Sequence, residues 1–94
     1  MKTVYIDTKK INSVQLLQDY LKEQLELPSY YGGNLDAMYD ALTTIREDTE
    51  IYISKYENAS DKSFNRYMER FLHVLHDAEM ENEYLTVIID KTGI

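Results

Sequence analysis

Cysteine is absent from this chain, so it offers no disulfide framework, no thiolate metal site and no cysteine nucleophile. Long apolar runs are absent as well. No stretch approaches the length of a transmembrane helix, and the opening MKTVYIDTKK lacks the apolar core of a signal peptide, so a cytoplasmic location is expected. Asn58, Ala59 and Ser60 spell a glycosylation acceptor, but without a secretion signal the match carries no weight. Internal repeats and low-complexity linkers are missing. The 94 residues supply one core's worth of apolar side chains, and a single domain over residues 1–94 is expected. Positive charge is scarce: 10 Lys and Arg stand against 17 Asp and Glu, a formal charge of -7. Such a chain repels nucleic acid and anionic membranes and suits a basic partner protein, although acidity also serves solubility alone.

The apolar pattern alternates between strand and helix periods. Residues 3–7 are β-branched or aromatic at Val4, Tyr5 and Ile6 and suit a short strand. Asn12 with Gln15 three residues later reads as a capping box, and Val14, Leu17, Leu21 and Leu25 continue a helical stripe that Leu16 and Tyr20 widen. Pro28, the single proline, cannot continue that helix. Ile51, Tyr52 and Ile53 suit a second strand within residues 50–54. Residues 55–61 are polar and suit a turn, with room for a brief helical turn, and Ser60 or Asp61 can cap the helix that follows. In that helix Phe64, Met68, Phe71 and Leu75 mark the stripe, broadened by Tyr67, Leu72, Val74 and Ala78. Residues 84–89, YLTVII, form an apolar run expected to be a central strand or one covered on both faces. Strands alternating with helices predict an α/β fold with parallel pairing.

From residue 27 the chain reads LPSYYGGNLDAMYDALTT. Gly32 and Gly33 suit a turn, and Asn34 is a helix-capping residue type. Beyond it Leu35, Met38, Leu42 and Ile45 recur at spacings of 3, 4 and 3, the mark of a packed stripe. Asp36, Asp40, Thr43 and Glu47 fall on the opposite face, with Tyr39 on the border. An acidic face is ordinarily a solvated surface, and the helix dipole favours Asp36 in any case. Nothing structural, however, demands a carboxylate at Asp40.

Several chemistries are poorly served by these residues. Asp36 and Asp40 are neighbours on one helix face, whereas glycoside hydrolysis needs carboxylates on either side of a bond. With Glu47 or Asp48 they offer oxygen ligands to magnesium or calcium, but no loop has calcium-ligand spacing. His73 and His76 supply two zinc ligands and no recognised third, and no nucleophile elbow or P-loop occurs. No catalytic residue, metal or cofactor is therefore expected. Tyr5, Tyr20, Tyr52 and Tyr67 lie on strand or helix stripes and are expected in or beside the core, while Tyr30, Tyr31 and Tyr39 gather around the acidic helix. Rigid rings beside carboxylates make an interface for an arginine-bearing partner.

The same run resembles the signature of the barstar family, small bacterial intracellular inhibitors of secreted ribonucleases. The family pattern reads roughly LPxYYGxNLDALWDxLTG; Leu27, Pro28, Tyr30, Tyr31, Gly32, Asn34, Leu35, Asp36, Ala37, Asp40, Leu42 and Thr43 match it in register without gaps. The resemblance implies a three-stranded parallel sheet packed with about four helices, and an inhibitor rather than an enzyme. It implies that Asp40 sits deepest among the phosphate-binding groups of the partner, that Asp36 makes a second charge contact, and that Tyr30 lays its ring near the catalytic histidine. Asn34, Leu35, Tyr39, Thr43 and Thr44 would line the same surface, and Asp77 stands where the family usually places a longer glutamate for a peripheral salt bridge. The implied partner is a basic protein, a secreted ribonuclease or toxin nuclease, bound by a chain that is a monomer when free and touches neither nucleic acid nor membrane. Departures occur at Met38, Tyr39, Gly33 and Thr44, where the family favours leucine, tryptophan, an acidic residue and glycine. They leave the fold reading intact and bear on which partner is bound, so an immunity or antitoxin-like module and an interaction domain for another partner stay open.

Overall fold

Three five-residue strands, β1 (Lys2–Ile6), β2 (Thr49–Ile53) and β3 (Leu85–Ile89), run parallel in the order β1-β2-β3 in the computed structural model, which describes residues 1–56 and 61–90. Two helices, α1 (Val14–Gln24) and α2 (Leu35–Thr43), lie between β1 and β2 in the chain, and α3 (Lys62–Glu81) lies between β2 and β3. The alternation of periods thus yields the expected α/β fold. The expectation of about four helices is not met: the described residues contain three, and the brief helical turn expected within residues 55–61 falls in part on residues 57–60, outside the described set. Among the described residues no helix is long and apolar enough to cross a membrane.

The strand register aligns Val4 with Ile51 and Val87, and Ile6 with Ile53 and Ile89, so one sheet face carries the β-branched core residues. The three helices cover that face. Leu17 and Leu21 come from α1, Met38 and Leu42 from α2, and Phe64, Met68, Phe71, Leu75 and Ala78 from α3, all buried together. Each large side chain removed from water in this way contributes about 1.5–3 kcal/mol, which holds the layers together.

The opposite sheet face is open among the described residues. It carries Tyr5, half exposed at 50%, stacked on Tyr52 at a centroid distance of 5.3 Å, and the exposed Ile88. Two expectations are corrected here. Tyr5 is not a core residue, and β3 is neither central nor covered on both sides: it is an edge strand whose Thr86 and Ile88 face outward. The central strand is β2, because its two neighbours pair with both of its edges, a fact of topology that the longer apolar run of β3 does not reveal.

Helix α1 begins one residue later than the capping-box pattern suggests. Ser13 is the cap and accepts from the Leu16 amide at 3.2 Å, while Gln15 bonds forward to Asp19 at 2.8 Å instead of back to a cap. Its buried face is Leu17, Gln18 and Leu21, and Leu16, placed on the stripe by spacing, is 51% exposed. The helix ends in a Schellman turn: the Leu27 amide donates to the Lys22 carbonyl at 2.9 Å and the Glu26 amide to the Glu23 carbonyl at 3.2 Å. That turn puts Glu26 at φ 55, a left-handed conformation usually left to glycine, and its carboxylate pairs with Lys2 at 3.2 Å. Pro28 follows and sends the chain across the helical layer toward α2.

Candidate functional site

The loop 28–33 and helix α2 form one unit. The Tyr31 amide donates to the Pro28 carbonyl at 2.9 Å, closing a turn that leaves Tyr30 85% exposed while Tyr31 turns inward. Gly33 lies at φ 66, the positive region that favours glycine, and a Cβ on Gly32 would stand 3.2 Å from the side-chain Nδ2 of Asn34. Asn34 then caps α2, its Oδ1 accepting from the Ala37 amide at 2.8 Å. At the other end, Thr44 donates to the Ala41 carbonyl at 2.9 Å, and Arg46 donates to the Ile45 carbonyl at 3.0 Å, placing a cation at the negative end of the helix.

Helix α2 buries Met38 and Leu42, half-buries Leu35 and Tyr39 against the core, and exposes Asp36 and Asp40. The two carboxylates border different hollows. Asp40 borders a cleft of about 360 Å³ between α2 and the loop, walled by Tyr30, Tyr31, Gly32 and Thr44. Asp36 borders a wider groove of about 510 Å³ between α2 and α3, with Leu35, Glu69, Arg70 and His73. His73 lies 3.5 Å from Asp77, one turn further along α3. Neither Asp36 nor Asp40 has a cationic partner within salt-bridge distance among the described residues. Thr43 spends its hydroxyl proton within the helix, donating toward the Tyr39 carbonyl at 2.8 Å, so outward it can only accept.

The nine residues expected at the site therefore fall into connected groups. Tyr30, Asp40 and Thr44 share the loop cleft; Leu35 and Asp36 share the groove, and Asp77 reaches its edge through His73. Asn34, Tyr39 and Thr43 lie on the helix between or beside these hollows, Asn34 as the cap. Among the described residues no three His, Asp or Glu side chains stand close enough to hold a metal ion.

A family model described as "Barstar (barnase inhibitor)" matches residues 1–90. The chain belongs to the Barstar family. Within it, the chain is 31% identical over 90 residues, 94% of this chain and 99% of the relative, to the Bacillus subtilis (strain 168) protein named "Putative ribonuclease inhibitor YrdF".

Two polar residues of this Barstar chain organise the site without having been signalled by motif or spacing. Gln18, in the middle of the α1 stripe, is buried at 3% exposure and binds both Tyr31 and Tyr67. Asn82, buried at 4% just beyond α3, donates to the Leu42 carbonyl at 2.8 Å and the Ile45 carbonyl at 3.0 Å, holding the end of α2. The single clue to Gln18 is a polar residue between Leu17 and Leu21 where a core helix face would carry an apolar one.

Proposed function

We propose that this protein inhibits a ribonuclease by docking α2 and its flanking tyrosines into a basic active site. An enzyme that cleaves RNA holds phosphates with cationic and hydrogen-bonding groups, so its site is a positive hollow. Asp40 and Asp36, exposed and unpaired one turn apart on a rigid capped helix, present carboxylates with the charge that phosphates would bring. Tyr30 adds an exposed ring beside Asp40, and Asn34, Leu35, Tyr39, Thr43 and Thr44 complete the surface, with Asp77 at its periphery. Inhibition is then occlusion and needs no chemistry from this chain. Membership of the Barstar family, together with the name of the Bacillus subtilis relative, supports this reading. The observation that carries it is the free carboxylate of Asp40 at the mouth of the tyrosine-walled cleft.

A second reading is favoured by Thr44. Its side chain lines the cleft where the family pattern favours glycine, so the hollow is shaped for a different nuclease, and the chain would serve as an immunity or antitoxin-like protein for that toxin. Titration into a small secreted ribonuclease of the barnase type, read by RNA cleavage, separates the two. The inhibitor reading expects loss of activity at one-to-one stoichiometry. It also expects Asp40→Ala to weaken binding by about 3 kcal/mol or more, at least ~100-fold in Kd, because the cations of the partner are left buried without a counter-charge. Unchanged affinity of Asp40→Ala would remove the mechanism; no inhibition by the parent protein would turn the search to other nuclease toxins.

A further inference from the structure

The buried amide of Gln18 joins three elements at one point. Its Oε1 accepts from the Tyr31 hydroxyl at 2.6 Å, tying α1 to the loop, and its Nε2 donates to the Tyr67 hydroxyl at 2.7 Å, tying α1 to α3. Tyr67 is itself steadied by stacking on the core ring of Phe71 at 6.5 Å. The loop passes close over this point: a Cβ on Gly33 would stand 3.9 Å from the Gln18 Cβ. Tyr31 is the neighbour of Tyr30 in the chain, and both wall the cleft that Asp40 borders. A primary amide suits the task because it offers an acceptor and a donor on one planar group, which an aliphatic side chain lacks altogether and a carboxylate supplies only in part.

We infer that Gln18 is the positioning residue of the recognition loop, fixing Tyr31 so that the exposed Tyr30 is held in its docking conformation before any partner arrives. Among the described residues the loop is otherwise held by one turn hydrogen bond, the exposed Lys22 ammonium on the Ser29 carbonyl at 3.3 Å and the α2 cap, so without the clamp it samples other conformations, and a partner has to order it on binding. The effect on binding rests on the inhibitor reading above; the effect on the loop does not.

Amide hydrogen exchange of the free protein tests the clamp directly. In Gln18→Leu the Tyr31 amide should exchange roughly ten- to thirtyfold faster, the effect of losing one or two hydrogen bonds, while the β2 amides of Ile51 and Ile53 keep their rates. Tyr31→Phe leaves the Gln18–Tyr67 bond in place and keeps the fold within reach if the first variant is too unstable; it should give the same local effect. Uniform acceleration across loop and sheet, or an unchanged Tyr31 amide in both variants, overturns the proposal. With a barnase-type ribonuclease, Gln18→Leu should raise the dissociation rate about tenfold and leave the association rate alone, since no charge changes. That dissociation effect should vanish when Tyr30→Ala is already present, and an effect of full size in that background overturns transmission through Tyr30. If the parent protein does not bind the ribonuclease, the inhibitor reading fails, and the exchange data still decide whether Gln18 holds the loop.

Discussion

Replacing Asn82 should destabilise the protein more than its place after the last helix suggests. Its Nδ2 supplies the Leu42 and Ile45 carbonyls at 2.8 and 3.0 Å, and its Oδ1 accepts from the Tyr84 amide at 2.9 Å, one residue before β3. Helix ends leave carbonyls without intrahelical partners; Asn82 satisfies that of Leu42 in the last turn of α2 from across the fold and joins Arg46 on the Ile45 carbonyl just beyond it. Each such bond contributes about 1 kcal/mol net, and a buried group left unsatisfied costs roughly 1–3 kcal/mol. Asn82→Ala should therefore cost about 2–4 kcal/mol, a large share of the roughly 5–15 kcal/mol that holds a domain together, and lower Tm by about 10 °C or more. Asn82→Asp sharpens the test. The carboxylate keeps the size of the side chain and the acceptor for Tyr84 but turns two donors into acceptors facing two carbonyl oxygens. It should cost more than alanine at neutral pH, with the deficit shrinking in acid as the carboxyl becomes a donor. Urea unfolding at constant m-value measures both. An alanine variant within about 0.5 kcal/mol of the parent, or an aspartate variant no worse than alanine, would refute the capping role.

Two further predictions follow from charge and burial. If the acidic face steers a basic partner, the association rate should fall as ionic strength rises and the Debye length shrinks from about 10 Å at 0.1 M toward about 3 Å at 1 M. Stopped-flow association that is flat across that range contradicts the reading. Burial, with a smaller contribution from Tyr67, pushes the Tyr31 phenol up to about 12 from 10.0. Between those values the unfolded chain loses this proton and the folded chain keeps it, so the contribution of this group is fully present below the window and is lost as pH rises through it. Tyr31→Phe should flatten the alkaline slope of the urea midpoint; a slope identical to that of the parent would show that another group sets it.

The run around α2 was legible because its signals are local. Asn34 caps the helix whose start it marked, Met38 and Leu42 are buried as their spacing predicts, and Asp36 and Asp40 are exposed on the other side. The capping pair at Asn12 and Gln15 misled because Ser13 competes for the same helix end with the same chemistry, one residue later. Leu16 and Tyr5 misled for another reason. Periodicity reports that a residue is apolar and on a given phase, while burial depends on whether another element covers that phase, and at these two positions the described residues leave it open.

The sequence by itself determined where the strands and helices of the described residues lie and in what order, because capping, period and turn chemistry act over a few residues of chain. It also determined which face of α2 is acidic. Only the tertiary structure decided that β2 is central, that Asp36 and Asp40 border different hollows, and that Gln18 and Asn82 turn inward to hold the loop and the end of α2. Those outcomes depend on partners far away in the chain, 49 residues for Gln18 and Tyr67 and 40 for Asn82 and Leu42. A buried amide is stable only where such partners meet it, and no local pattern records where they will be.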